Sequence, residues 1–299
     1  MSETQAAILE SHAAISVSGA EARHLLQGLV TSDVDDMEPG TARNSALLTP
    51  QGKILFEFIL YADTPDRFLL DTLREPAPEL VKRLTFYRLR AKVEITEMPD
   101  HIVALWGDES PQAGPRRFAD PRLPALGRRA ILPSSELEAT LSDCMRVSES
   151  AYQTHRIALG VAELGPDYGS GEIFPHEADL DQLGGVDFAK GCFIGQEVVS
   201  RMHHRGTARS RFVPVEIDGP APEAGTGIEA GGRTIGKMGS SAGNRGLALL
   251  RLDRVGDAIA AGHPIRAGEA TLQPVRPDWA RFDWPGGDEG PGETGATES

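Results

Sequence analysis

The spacing of apolar residues changes several times along this chain, and each change marks an element. Ile15-Ser16-Val17-Ser18-Gly19 alternates apolar and polar positions and predicts a short strand that stops at glycine. Ala22, Leu25, Leu26 and Leu29 then recur at helical spacing, which predicts a helix over 21–29. Two apolar runs, 44–49 and 54–61, flank Pro50-Gln51-Gly52-Lys53, a turn signal that predicts a hairpin. Residues 68–71, 91–95 and 101–106 read as further strands. Leu80, Val81, Leu84 and Tyr87 place a helix over 78–89, and 148–159 reads as a helix holding Tyr152, His155 and Arg156. The Pro-, Gly- and Arg-rich stretch 112–133 is a loop or a short strand pair.

After Arg205 the texture changes. Short apolar runs at 212–217, 227–229, 233–238, 246–251 and 264–266 alternate with glycine-rich turns, the pattern of a small β-barrel or sandwich. This predicts an α+β domain over 1–207, an all-β domain over 208–280, and a disordered acidic Gly/Pro tail over 281–299, whose stretch 285–299 has no large apolar residue.

Composition narrows the function. A chain of 299 residues predicts about two domains. Its net charge of −14 opposes general binding to nucleic acid or to an anionic membrane. No apolar run reaches bilayer-spanning length. Two cysteines, Cys144 and Cys192, make no disulfide framework, and the acidic start lacks both a signal peptide and an Arg-rich presequence. The expected setting is a bacterial cytoplasm.

The densest chemistry lies in Lys190-Gly191-Cys192-Phe193-Ile194-Gly195-Gln196-Glu197. The glycines allow tight turning or close approach to a ligand, and basic groups follow within a dozen residues. Taken alone, Cys192 is either a working thiol or a small apolar residue at a helix start. Lys190, Arg201, Arg205, Arg209 and Arg211 concentrate positive charge in an acidic chain and are candidates to meet an anion, unless acids elsewhere pair with them. His203 and His204 would point to opposite sides of a strand, so at most one would join a metal site. Cys144 lacks such a setting and reads as packing.

This run closely resembles the Lys-Gly-Cys-[Tyr/Phe]-x-Gly-Gln-Glu signature of the YgfZ family, folate-binding relatives of the glycine cleavage T protein. Leu26-Gln27-Gly28-Leu29-Val30-Thr31-Ser32-Asp33-Val34, Leu47 to Lys53, Arg156-Ile157-Ala158-Leu159-Gly160, the run from Phe174 to Asp181, and Arg205-Gly206 resemble other family segments in order. The likeness spans roughly 12–277. It implies a T-protein-like α+β fold with ferredoxin-like elements around a central folate cavity, plus a C-terminal β-barrel. It implies tetrahydrofolate binding and assistance in maturing [4Fe–4S] proteins, with iron–sulfur assembly or carrier proteins and apo-enzymes as partners. The family's functional thiol maps to Cys192, and its surroundings to Lys190, Gly191, Gly195, Gln196, Glu197 and Arg201. Arg201 and Arg205 are candidates for the folate's anionic glutamate by charge.

One departure matters. Where the T protein has a pair of aspartates after its hairpin glycines, this chain has Phe56 and Glu57. Phenylalanine takes no proton, and Glu57 would serve only with a slipped register, so the expectation is an assembly factor rather than an aminomethyltransferase. A folate-binding regulatory module is a further alternative. Four thiolates normally hold a cluster, so any cluster is expected to be held transiently, with a partner.

Overall fold

The computed structural model describes residues 4–107, 114–206 and 208–284. Most of the predicted tail, 285–299, lies outside them. Within that predicted tail, Phe282 and Trp284 are described and pack against the barrel core.

The first part of the chain runs β1 (Gln5–Ile8), β2 (His12–Ser18), α1 (Ala22–Gln27), β3 (Ala42–Leu48), β4 (Ile54–Thr64), β5 (Arg67–Leu73), α2 (Ala77–Arg88), β6 (Glu94–Met98) and β7 (His101–Trp106). Then follow β8 (Arg117–Ala119), β9 (Arg128–Leu132), α3 (Ser134–Leu141), β10 (Met145–Arg146), α4 (Glu149–Ala158) and α5 (Gln196–Arg205). The last part holds β11 (Ser210–Asp218), β12 (Gly227–Ala230), β13 (Arg233–Ala242), β14 (Arg245–Arg251), α6 (Leu252–Ala260), β15 (Ile265–Ala267) and β16 (Ala270–Pro274).

Strand alternation positions the site. The sheet β3-β4-β5-β2-β6 is antiparallel throughout. One face sends Ile15, Val17, Phe56, Phe58, Leu60 and Leu70 into a core closed by α1 and α2. The other face carries Ala14, Ile59, Tyr61 and Leu69 against the second sheet, β10-β1-β7-β9-β8. Between the sheets, this second face also points His12, Glu57 and Asp71 inward. The stretch 112–133 is thus a strand pair over its described part, β8 with β9.

The barrel closes in the order β11-β14-β13-β12-β15-β16, with β16 pairing back onto β11. The region is not all-β as expected. α6 intervenes, and it buries Leu252, Val255 and Ala258 in the barrel core, the one-sided spacing of an amphipathic helix. Residues 159–195 carry one isolated bridge and otherwise no helix or strand. They thread between the α+β layers and the barrel, and Leu164, Tyr168, Leu180 and Phe193 share a core with Phe212 and Leu247.

Candidate functional site: an anchored loop beside a closed centre

The loop ahead of α5 is held from both ends. The Lys190 ammonium is buried and donates to the carbonyls of Gln27 at 2.9 Å, Val30 at 2.7 Å and Ser32 at 2.7 Å. It closes the C-terminal end of α1, where helix carbonyls lack partners and a cation is favoured. Burial lowers its pKa to about 8, against the pull of Asp33 and Asp187. At the other end, Gly195 has φ +81° and starts α5. A Cβ there would meet the Thr49 carbonyl oxygen at 2.6 Å, and one on Gly52 would meet the Gly195 oxygen at 3.2 Å. The predicted hairpin turn and the signature therefore dock backbone to backbone, which only glycines allow. Phe193 fills the core beneath.

Gly191 and Cys192 lie between these anchors, and both are exposed. Gln196 is half-buried, and Glu197 pairs with Arg201 at 2.6 Å on the solvent side of α5. Arg205 is exposed in the last turn, before Gly206 ends the helix at φ +57°. The expected cluster of anion-seeking cations is largely committed elsewhere. Lys190 holds carbonyls, Arg201 holds Glu197, and buried Arg211 holds Asp179 at 2.9 Å and Asp181 at 2.7 Å. Arg205 and Arg209 remain exposed.

His203 and His204 lie on the last turn of α5 rather than on a strand. His203 stacks on Phe188 with ring centroids 3.8 Å apart. Among the described residues, no group of three or more His, Cys, Asp or Glu side chains is placed to hold a metal. Cys144 is half-buried, its Sγ lies 3.9 Å from the Thr140 carbonyl, and burial pushes its thiol pKa up.

The centre between the sheets holds charges the sequence reading missed. Arg129 contacts Asp120 at 3.3 Å and Asp71 at 3.7 Å, and Arg122 contacts Asp120 at 2.7 Å. Both guanidiniums donate to the Tyr152 hydroxyl. Arg156 holds Asp167 at 2.6 Å and Glu163 at 3.6 Å, and is fully buried. His12 lies 2.5 Å from Asp71, and 3.5 Å from Glu163 at an ion-pair rather than hydrogen-bond distance. Burial opposes its protonation, but Asp71 and Glu163 together raise it to about 9. The outward signal was a charge inside an apolar strand: Asp71 after Phe68-Leu69-Leu70, and Arg129 before Ala130-Ile131-Leu132.

Glu57 also faces this centre, which corrects the reading of the hairpin. Phe56 points into the helix-side core, while Glu57 accepts from the Tyr168 hydroxyl at 2.6 Å and the Leu164 amide at 3.2 Å. Burial raises its pKa. An acid is thus aimed inward without any slip of register, but it is locked in place. Where a central folate cavity is expected, the space between the sheets measures about 20 Å³. Its lining includes His12, Asn44 and Asp71, whose Nε2, Oδ1 and Oδ2 atoms lack hydrogen-bond partners. That is the size and polarity for one water molecule.

Comparison with known proteins fits this architecture. Residues 209–282 match the family described as CAF17, C-terminal beta-barrel domain. The glycine cleavage system aminomethyltransferase T of Bartonella henselae superposes with a TM-score of 0.76 over 94% of this chain and 88% of its own, at 17% identity. The fold is therefore T-protein-like with a C-terminal barrel. The iron–sulfur cluster assembly factor IBA57 homolog of Mycosarcoma maydis, a mitochondrial protein, is 31% identical over 91% of this chain and 83% of its own length. The chain belongs to the IBA57 family. Human IBA57, also an iron–sulfur cluster assembly factor, is 31% identical over 93% of this chain and 84% of its own.

IBA57, and not YgfZ by name, is the family these relatives support, within the T-protein-like group that the resemblance indicated. They are named as assembly factors rather than enzymes, in line with the expectation. The bacterial cytoplasm is overturned, because the IBA57 relatives from Mycosarcoma maydis, mouse and human are mitochondrial by name. That expectation rested on the composition of the first ten residues, which says nothing to set against the relatives.

Proposed function

We propose that this chain matures iron–sulfur proteins, those with [4Fe–4S] clusters among them, and that Cys192 is the thiol through which it acts. The presentation of Cys192 supports this most. It stands exposed on a loop fixed by the Lys190 clamp and by the Gly195–Gly52 contact, while the other cysteine is half-buried. As a thiolate it would ligate iron or a cluster shared with a partner protein. A cluster normally needs four thiolates, so an assembly or carrier protein, or an apo-enzyme, supplies the rest. The cluster is cargo, and the anchored loop keeps its ligand in one place during the exchange.

The space between the sheets is too small to seat tetrahydrofolate, so this mechanism assigns it no role there. Pockets for ligands of its size measure roughly 300–1,000 Å³, against about 20 Å³ at this centre. The charges around that space are already paired with one another. Equilibrium dialysis with tetrahydrofolate is expected to show no saturable binding; saturation at micromolar concentration would contradict this. The thiol itself is tested by mixing the chain with a cluster-loaded, cysteine-liganded carrier protein. Thiolate-to-iron absorption is expected to comigrate with the wild type on gel filtration and to be lost with Cys192→Ala; equal comigration of both would refute the assignment.

A further inference from the structure

A second surface lies away from the Cys192 loop, at the end of α2. This helix buries Leu80 and Leu84 in the core. Lys82 and Phe86 lie one turn apart at i and i+4 on an outward stripe, and Leu89 follows directly past the end of the helix. Phe86 is 71% exposed and Leu89 83%. Around them stand the cations Lys82, Arg83, Arg88, Arg90 and Lys92, with no acid between Glu79 and Glu94, in a chain of net charge −14. Among the described residues, only Lys82 of these forms an ion pair, with Glu79 at 3.4 Å.

Leu89 is unfavourable twice over. It exposes a large apolar side chain, and it adopts φ 50° with ψ −105°, a region that favours glycine. Fraying does not explain it. The Lys92 amide donates to the Glu21 carboxylate at 2.6 Å, Arg88 donates to the Val93 carbonyl at 3.0 Å, and Val93 is buried. The strand that follows is thus firmly held, and the leucine is presented from a rigid base.

We propose that this end of α2 docks an acidic face of a partner protein, with Phe86 and Leu89 seated in an apolar groove and Arg83, Arg90 and Lys92 at the charged rim. Aromatic and arginine side chains around an apolar centre are the usual makings of a binding hot spot. Positive charge gathered on this patch of an acidic chain steers and orients an acidic partner. An anionic bilayer fits less well, since two apolar anchors give little insertion and the rest of the chain repels it. This inference stands independently of the thiol assignment.

The probe is a fluorescein-labelled synthetic helical peptide of about 18 residues, acidic on one face with leucines along the other. Its anisotropy is followed on titration with the full chain. Saturable binding is expected, weakened about tenfold or more by high salt. Phe86→Ser should weaken it at least about fivefold, and Arg83→Glu combined with Arg90→Glu should abolish it. Leu89→Gly is the sharpest variant: relief of the positive φ should raise the melting temperature while binding falls. Equal peptide binding by all variants would overturn the proposal. So would patch-dependent binding to vesicles of phosphatidylglycerol and phosphatidylcholine in place of the peptide.

Discussion

The centre and the rim of this molecule use charge in opposite ways. Between the sheets, Arg122, Arg129, Arg156, Asp71, Asp120 and Glu163 are buried and ion-paired with one another around a space of about 20 Å³. At the rim, Lys190 and Gly195 hold a loop in place while Cys192 stays exposed and unburdened. A shared fold therefore does not imply a shared site. This chain superposes on an aminomethyltransferase, yet its centre is built as structure and its exposed thiol lies elsewhere.

The largest expected effect breaks the centre. Arg156→Leu leaves Asp167 and Glu163 buried with a lost partner, which should cost about 4 kcal/mol in urea unfolding. A loss within experimental error would mean that the central ion-pair network does not hold the fold together.

A comparable effect comes from pH. His12 has a folded pKa of about 9 against an ordinary value of 6.5. Its stabilisation is complete below pH 6.5 and is lost as pH rises through 9, by on the order of 3 kcal/mol. Melting temperature should fall over that window, and His12→Gln should flatten the slope. At the other end, burial lowers His176 to about 4 despite the Asp181 carboxylate, so acid should destabilise the fold between pH 6.5 and 4.

A smaller pair of effects dissects the rim. Gly195→Ala meets both a positive φ and the Thr49 carbonyl oxygen, and should cost about 2 kcal/mol. Gly191→Ala meets nothing within 4 Å and should change stability by less than about 0.5 kcal/mol. Equal costs would mean that the loop is not anchored as described.

Much of this is legible in the sequence. The hairpin around Pro50 and Gly52 is readable because turn chemistry is local, and β2, α2, α4 and five of the six barrel strands follow from periodicity. α6 was not read, although its one-sided apolar spacing was there to find, because the surrounding glycine-rich strands set the expectation. α5 was missed for a different reason. Its sequence is rich in His and Arg, and the short apolar set Val198, Val199 and Met202 buries only Val199 fully. The motif from Lys190 to Glu197 was found, but the roles of its members were not. That Lys190 is a clamp and Gly195 a docking point depends on α1 and the hairpin, more than 130 residues earlier in the chain. The central network was invisible for the same reason: each charge looked like an isolated exception within its own strand.

Complementation of a strain lacking its own protein of this family, scored by [4Fe–4S] enzyme activity, tests the account most directly. Cys192→Ala and Glu57→Gln are compared with the wild type at matched soluble levels. Cys192→Ala is expected to abolish rescue, while Glu57→Gln, which keeps the size and packing of that side chain, retains it. Full rescue by Cys192→Ala together with failure of soluble Glu57→Gln would contradict it and return the function to the centre.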